Sequence, residues 1–259
     1  MGGSPILLIH GGPGAAGDVA PLADALAGRC TIIEPTCDAS SVDAHIDQVL
    51  QAAARAGVSH ATLVGFSYGA WSSVLVAARH RLARRIVLIG CPPFDESDAR
   101  RITSTREDRM AEGDGATMNA LLRSVNRERG ASSDHAFTRL GAHIARLDAF
   151  DPDAEAYAAW LAHLRCSADV YDTVWPQAAA MRASGSLWES LRAVRCPITA
   201  IHGDHDPHPA DAVRLALDSL EAPTRFVLLP ECGHTPWIER SFRERLIPIF
   251  EHEILSRLA

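Results

Sequence analysis

Short, continuous apolar runs alternate with longer amphipathic segments along most of this 259-residue chain. Runs of this length are typical of strands buried on both faces, and the segments between them have the pattern of helices. The pattern therefore predicts an α/β fold with a mostly parallel sheet of about six strands and helices on both faces. The runs are Pro5–Ile9, Thr31–Ile33, Ala61–Val64, Ile86–Gly90, Ile198–Ile201 and Phe226–Leu229.

Local capping signals place two of the intervening helices. Asp18 is expected to cap a short helix that ends at Leu26, and Ser40 with Asp43 forms a capping box for a helix that runs to Ala56. Gly57 supplies the stop signal for that second helix.

Roughly a hundred residues separate Gly90 from Pro197, far more than a loop accounts for. Apolar spacing near 3.6 predicts helices in this region, and Gly and Asp-Pro sequences break them. We interpret the region as a helical cap inserted after the fourth strand. The predicted helices are 116–129, 136–147 and 154–165, and the C-terminal helix is predicted at 241–258. The predicted division is a core at 1–91, a cap at 92–185 and a second part of the core at 186–259.

The third apolar run leads directly into Gly65-Phe66-Ser67-Tyr68-Gly69, which a helix-like segment follows. A strand, G-x-S-x-G and a helix in that order are typical of a nucleophile elbow. The serine occupies a strained turn that exposes its hydroxyl, and the glycines allow strand and helix to approach closely. The motif predicts Ser67 as a nucleophile.

Polar loops follow three other predicted strands. The first strand ends in His10-Gly11-Gly12-Pro13-Gly14, the fifth in His202-Gly203-Asp204-His205-Asp206-Pro207, and the sixth is followed by Glu231-Cys232-Gly233-His234. Along the chain, the serine comes first, the aspartates after the fifth strand come next, and the histidine after the sixth strand comes last. This order of nucleophile, acid and base differs from the orders in chymotrypsin and subtilisin. From Pro5 to about Leu258, apart from the middle third, the chain resembles the α/β-hydrolase-fold serine hydrolases.

The resemblance implies a catalytic triad of Ser67, Asp206 and His234. Gly203-x-x-Asp206 resembles the acid loop of the family, and His234 stands where the family places its base. Asp204 is the nearest rival for the acid and is interpreted as a turn-forming residue. Asp95 is a second rival, because some members place the acid after the fourth strand.

The resemblance also implies an oxyanion hole. Its donors are the backbone N–H groups of Gly12 and of Tyr68, the residue after the nucleophile. Pro13 has no N–H to donate. By analogy the strand order is 2-1-3-4-5-6. Many members begin with an antiparallel hairpin, whereas this sequence begins at the first parallel strand.

Composition excludes several chemistries. All 25 basic residues are arginine, which removes Schiff-base, Ser–Lys and Walker-type phosphate chemistry. The net charge of −7 disfavours nucleic acid and anionic membranes as partners. We expect no cofactor and a small-molecule substrate.

His202, His205 and His208 recur at a spacing of three beside two aspartates, which raises the question of a metal. That spacing aligns ligands only on a helix, and Gly203, Pro207 and Pro209 oppose a helix here. We therefore predict no metal site and interpret these histidines as lining the acid turn.

The cysteines and the first residues indicate a cellular location. The six cysteines are dispersed without a C-x-x-C pair, which favours free thiols in a reducing compartment. Met1 to Pro5 lacks the basic residues of a signal peptide, and the apolar run that follows is too short for one. A cytoplasmic location is expected.

The predicted activity is hydrolysis of a small or medium ester, lactone or amide. A proline iminopeptidase is the first rival, because its glycine-proline loop is similar, although that family usually has Trp where this chain has Tyr68. Its cap glutamates bind a free amine, and the candidates here are Glu96, Glu107, Glu112, Glu128, Glu155 and Glu189. The same triad also suits C–C bond cleavage or a lyase reaction, and a catalytically silent binding protein is the last rival. Candidate substrate-lining residues are Trp160, Tyr171, Trp175 and Met181.

Overall fold

The computed structural model describes residues 4–255, and each predicted apolar run forms a strand there. Six strands form one parallel sheet in the order β3-β1-β4-β5-β7-β8. Counted along the chain, this is the predicted order 2-1-3-4-5-6. The strands are β1 (Ile6–Ile9), β2 (Ala15–Ala16), β3 (Ile32–Ile33), β4 (Ala61–Phe66), β5 (Ala83–Ile89), β6 (Arg165–Cys166), β7 (Ile198–Gly203) and β8 (Thr224–Leu229).

Eleven α-helices surround the sheet within the described residues. They are α1 (Ala20–Leu26), α2 (Val42–Arg55), α3 (Tyr68–Arg79), α4 (Glu96–Arg109), α5 (Asp114–Arg127), α6 (Ala131–Leu147), α7 (Ala154–His163), α8 (Ala168–Ala183), α9 (Ser186–Ala193), α10 (Ala210–Asp218) and α11 (Ile247–Leu255). A π-helical segment (Phe242–Leu246) leads into α11, and the last three residues of the helix predicted at 241–258 lie outside the described residues. No helix in the described range 4–255 is long and apolar enough to cross a membrane.

The strands contribute side chains alternately to two buried clusters, one on each face of the sheet. In β1, Leu7 and Ile9 join one cluster while Ile6 and Leu8 join the other. Helices α2, α3, α9 and α10 cover the first face, and α1 and α11 cover the second. Because both faces are covered, β1 is apolar and buried along its whole length, as its sequence predicted. The edge strand β8 is less buried, and its first two residues are exposed.

Helices α4 to α8 fill the segment that the sequence assigned to the insertion. The predicted helices 116–129, 136–147 and 154–165 correspond to α5, α6 and α7 with shifts of a few residues. Side chains of α5, α6 and the first residue of α8 form a small separate cluster of Leu121, Val125, Ala136, Leu140 and Ala168. Strand β6 pairs antiparallel with β2, which joins the insertion to the loop after β1.

The two predicted caps lie elsewhere. The hydroxyl of Ser41, rather than Ser40, caps α2 by accepting a hydrogen bond from Ala44 N at 3.1 Å. Helix α1 has Val19 at its N-cap, because the Asp18 carboxylate binds the backbone N–H of Gly11 instead. Asp18 thus belongs to the loop after β1.

Candidate active site

Ser67 occupies a sharp turn between β4 and α3. Its backbone has φ 50° and ψ −119°, a region that side-chain-bearing residues rarely adopt. Ser67 N donates to Ile89 O at 2.9 Å, so the turn is fixed to the end of β5. This geometry is that of a nucleophile elbow, with the first turn of α3 directly after the serine.

The glycines on either side of Ser67 are required by close backbone approach. A side chain at Gly65 would place its Cβ 2.1 Å from Gly69 O, and one at Gly69 would place its Cβ 2.3 Å from Ile9 O. Neither contact is sterically possible, so strand, turn and helix pack this tightly only because both positions lack a side chain.

Asp206 and His234 meet at the same edge of the sheet. His234 Nδ1 donates to Asp206 Oδ2 at 2.8 Å, and the aspartate side chain is completely buried. Burial acts to raise the pKa of Asp206, but His234, His208 and His202 around it hold that pKa well below its usual range. The carboxylate is therefore ionised and accepts a hydrogen bond from the imidazole N–H.

His234 lies next to the elbow. Its ring packs against Phe66, with ring centroids 4.9 Å apart, and Phe66 directly precedes Ser67. A Cβ at Gly90 would lie 3.0 Å from His234 Nδ1 and 3.2 Å from Asp206 Oδ2. Because Ser67 N binds the residue before Gly90, all three predicted triad residues converge on the carboxyl ends of β4, β5 and β7.

Asp204 and Asp95, the rivals for the acid, lie apart from the imidazole. Asp204 is exposed and its carboxylate accepts from Cys232 N at 3.3 Å. Asp95 is exposed and caps α4 through Ser97 N at 2.7 Å. Asp95 therefore stabilises the start of its own helix, and Asp204 ties the acid loop to the backbone at Cys232.

The loop after β1 supplies a free backbone donor. Gly11 N–H is already bound to the two oxygens of Asp18, at 3.1 and 3.0 Å. Within residues 4–255, the N–H groups of Gly12 and Tyr68 have no acceptor. Two unpaired N–H groups, one of them on the residue after the half-buried Ser67, fit the predicted oxyanion hole.

Asp18 is a residue of this loop whose role the sequence did not indicate. Its carboxyl is buried, and burial raises its pKa well above the usual range. By accepting a hydrogen bond from Gly11 N, Asp18 orients the loop so that the N–H of Gly12 remains available. The position of Gly12 thus depends on a side chain seven residues after Gly11.

We expect Asp18→Leu to lower kcat up to about 100-fold, because a displaced Gly12 N–H no longer meets the oxyanion. Asp18→Asn keeps an acceptor for Gly11 N, carries no charge into the buried site and should remain within a few-fold of wild type. Steady-state kinetics on both variants, with circular dichroism to verify folding, measures the difference. Equal activity of the two folded variants would contradict the role of Asp18.

The three histidines of the acid loop have different surroundings. His202 is buried and its Nε2 donates to His208 O at 2.9 Å, while half-buried His205 packs against the ring of Phe150. His208 Nδ1 donates to Asp206 Oδ1 at 2.7 Å. In the described part of the chain, the group whose donor atoms lie within 4.8 Å of one another is Asp206, His208 and His234. Its geometry is that of two imidazoles hydrogen-bonded to one carboxylate.

We expect dialysis against EDTA to leave turnover unchanged, because the atoms closest to a metal-binding arrangement already hydrogen-bond one another. The measurement compares kcat/KM before and after dialysis, and after addition of Zn²⁺. Loss of activity that Zn²⁺ restores would show that this cluster is a metal site.

Long-range contacts hold in place the segment 231–234, which we call the base loop after the predicted role of His234. His234 N donates to Asp148 O at 3.0 Å, and the fully buried Asp148 carboxylate accepts from Arg106 Nε at 2.8 Å. The carboxylate of Glu239, 2% exposed, accepts from the backbone N–H groups of Gly233, Phe150 and Asp151 at 2.8 to 2.9 Å. These contacts join the base loop to the end of α6, and none had a local sequence signal.

The four predicted substrate-lining residues occupy different environments. Trp160 lies in the buried cluster with α1, and its Nε1 donates to Asp18 O at 3.1 Å. Met181 packs against the cluster on the opposite sheet face. Tyr171 stacks on Trp175 with centroids 6.0 Å apart, and Trp175 stacks on Trp71 of α3.

Comparison with known proteins identifies the family. A family model described as the alpha/beta hydrolase family matches residues 6–245. The chain belongs to the alpha/beta hydrolase family. Membership supports hydrolase activity on a small molecule. No curated protein sequence matches this chain.

Several solved structures share the fold at low sequence identity. Proline iminopeptidase from Mycobacterium smegmatis is 18% identical with a TM-score of 0.66, covering 96% of this chain and 89% of that one. Esterase RhEst1 from Rhodococcus sp. ECU1013 is 19% identical with a TM-score of 0.62, covering 98% and 92%. Est816, described as an N-acyl homoserine lactone degrading enzyme, is 15% identical with a TM-score of 0.62, covering 96% and 93%.

Proposed function

We propose that this hydrolase is a cofactor-free serine hydrolase that cleaves a small or medium carboxylic ester, lactone or amide through an acyl-enzyme. The observation that carries the proposal is the hydrogen bond from His234 to the buried Asp206 carboxylate beside the strained turn at Ser67. An ionised, buried acid that orients an imidazole next to a serine is the arrangement that nucleophilic acyl transfer needs.

In the proposed mechanism, Ser67 Oγ attacks the substrate carbonyl carbon while His234 Nε2 takes the hydroxyl proton. Asp206 Oδ2 holds Nδ1–H and stabilises the imidazolium. The N–H groups of Gly12 and Tyr68 stabilise the oxyanion of the tetrahedral intermediate. His234 then returns the proton to the leaving alcohol or amine, and a water molecule hydrolyses the acyl-Ser67 ester by the same steps.

We also propose that segment 92–185 acts as a cap over the site. Its support is that the segment contacts three of the site loops directly. Arg109 Nη1 donates to His205 O at 2.7 Å, Ser167 N donates to Gly14 O at 2.7 Å, and Asp148 O accepts from the base loop. A segment that contacts the acid, base and oxyanion loops is well placed to shape the substrate pocket.

Among the candidate lining residues, we propose that Tyr171 and Trp175 form part of the pocket wall. Tyr171 lies in the first turn of α8, where its backbone nitrogen would be 3.3 Å from a Cβ at Gly14 of the oxyanion loop. Trp175, one turn later, continues the aromatic stack to α3, the helix that begins at the nucleophile.

The surroundings of the six candidate glutamates favour an esterase over an iminopeptidase. An amine-binding site requires a carboxylate without a competing cation, held near the nucleophile. Glu96 forms an ion pair with Arg182 at 2.8 Å. The remaining candidates are exposed: Glu107, Glu112, Glu128, Glu155 and Glu189.

A substrate panel tests the proposal. Wild type and Ser67→Ala are assayed on p-nitrophenyl esters of increasing acyl length, on simple lactones and on L-proline p-nitroanilide, with labelling by a fluorophosphonate. We expect ester or lactone turnover that requires Ser67. Selective cleavage of the proline anilide would indicate an aminopeptidase, and absence of both turnover and labelling would indicate a binding protein.

A further inference from the structure

The triad carboxylate is shared between two imidazoles. Asp206 Oδ2 accepts from His234, while Oδ1 accepts from both His208 N at 2.9 Å and His208 Nδ1 at 2.7 Å. The two rings lie close together, with centroids 4.3 Å apart and planes inclined by 31°. The acid of the triad thus has an imidazole partner on each oxygen.

The hydrogen-bond pattern fixes the tautomer of His208. The Asp206 carboxylate has no proton to give, so the hydrogen between Oδ1 and His208 Nδ1 belongs to the imidazole. Burial lowers the pKa of His208 to about 4, with the Asp206 charge acting against that effect. At neutral pH His208 is therefore a neutral ring with its single proton on Nδ1.

The loop is built to hold this ring. His202, itself buried, donates Nε2–H to the carbonyl of His208 at 2.9 Å, and this nitrogen lies 3.5 Å from Asp206 Oδ2. Because backbone and side chain of His208 both bind Oδ1, the orientation of the carboxylate is determined from one side by a single residue.

We propose that His208 is a positioning residue that acts on the base through Asp206. By donating Nδ1–H to Oδ1 it holds the carboxylate with Oδ2 towards His234, and it draws part of the negative charge away from His234. The proposal rests on the proposed triad function.

The consequence is a measurable change in pH dependence. Without the His208 donor, the His208 backbone N–H still holds Oδ1, but the carboxylate concentrates more charge on the His234 side. The imidazolium form of the base becomes more stable, and the acid limb of kcat/KM, which reports protonation of that base, moves to higher pH. Less restraint on the carboxylate also lowers kcat.

Further charged or titratable groups surround the pair but do not share this geometry. The groups near Asp206 are His202 on its own loop, Arg106 and Arg109 from α4, Cys91 after β5 and Cys232 before the base. Burial raises the pKa values of the Cys91 and Cys232 thiols, which stay neutral, and the two arginines stay charged.

A pair of variants separates the donor from the ring. His208→Phe keeps an aromatic ring against His234 but has no donor, whereas the side-chain NH₂ of His208→Asn takes the place of Nδ1–H. We expect His208→Phe to lower kcat about 10-fold and to move the acid limb up by about 0.5 to 1 pH unit, with KM unchanged. His208→Asn should keep the wild-type limb, and so should the control His205→Asn, whose side chain does not touch Asp206.

Three results would overturn the proposal. The first is an acid limb of kcat/KM that stays in place or moves to lower pH in folded His208→Phe. The second is an upward shift in folded His208→Asn as large as that in His208→Phe. The third is a His208 ring that carries its proton on Nε2. The last is read from ¹⁵N NMR of histidine-labelled wild type, needs no variant and does not depend on activity. Failure of the proposed function is recognised separately, by a wild type whose Ser67 a fluorophosphonate does not label.

Discussion

Replacing Ser67 by alanine is expected to lower kcat by about 10⁴- to 10⁶-fold, because removal of the nucleophile leaves only binding and oxyanion stabilisation. The fold should survive, since Ser67 makes two backbone hydrogen bonds, from its N to Ile89 O and to its O from Ala70 N, and neither needs the hydroxyl. Alanine removes the attacking atom alone. The measurement is kcat on the best p-nitrophenyl ester of the panel, with circular dichroism on the purified variant.

Chemical labelling provides an independent readout of the same assignment. A fluorophosphonate should label wild type at Ser67, as identified by peptide mass spectrometry, and should not label the alanine variant. Ser59→Ala is a matched control, because this exposed serine precedes the opposite end of β4. Labelling of another serine, or full activity without Ser67, is incompatible with the mechanism.

The parts of the site that the sequence predicted are those that depend on local patterns. The elbow is five consecutive residues between a buried strand and a helix, so steric necessity at Gly65 and Gly69 is visible in the sequence itself. Asp206 and His234 each follow a short apolar run, and parallel strands bring their carboxyl ends to one edge. Periodicity therefore predicted the strands, while the resemblance to the α/β-hydrolase-fold serine hydrolases supplied their order and the choice of Asp206 and His234.

The groups that support the site depend on contacts between distant parts of the chain. Arg106 and Asp148 are 42 residues apart, and Glu239 binds Phe150 N across 89 residues. Acidic side chains are usually exposed to solvent, yet both of these acids are buried. Their burial follows from tertiary packing of the insertion against the base loop, which no local pattern encodes.

Helix α4 shows the same limit for secondary structure. Its sequence, Glu96–Arg109, is strongly polar and has two buried side chains, Ala99 and Ile102, so apolar periodicity could not predict it. Asp95 caps its start, and Arg106 anchors its last turn in a buried ion pair. Polar contacts with the rest of the molecule position this helix.

His208 was noticed in the sequence for a different reason. Its spacing from His202 and His205 suggested three equivalent ligands, but the loop turns so that His205 packs against Phe150 while His208 faces Asp206. A spacing of three carries that meaning only on a helix, whereas His202 lies in β7 and His205 and His208 lie in the turns that follow it. The contact with Asp206 depends on the path of the loop.

Asp206→Asn is expected to lower kcat about 10³- to 10⁴-fold while the protein remains folded. An amide retains the size of the carboxylate but replaces one acceptor oxygen by NH₂. Asp204→Asn and Asp95→Asn are matched controls, because neither carboxylate contacts the imidazole: Asp204 binds Cys232 N and Asp95 binds Ser97. Each of these two variants should lower kcat much less. Values of kcat for the three variants on one ester rank their effects. If Asp95→Asn had the lowest kcat, the catalytic acid would be Asp95, after the end of β5, and not Asp206.

The neighbours of Asp206 determine which way the new amide points. Its Oδ1 position faces the backbone N–H of His208 at 2.9 Å, a donor that no change of tautomer can turn into an acceptor. The amide oxygen must therefore stay on that side, and NH₂ must face His234 Nδ1. His234 then accepts at Nδ1 and carries its proton on Nε2, where it can no longer take the proton of Ser67. The same NMR measurement on the variant should show His234 protonated at Nε2, and a proton still on Nδ1 would contradict this explanation of the lost activity.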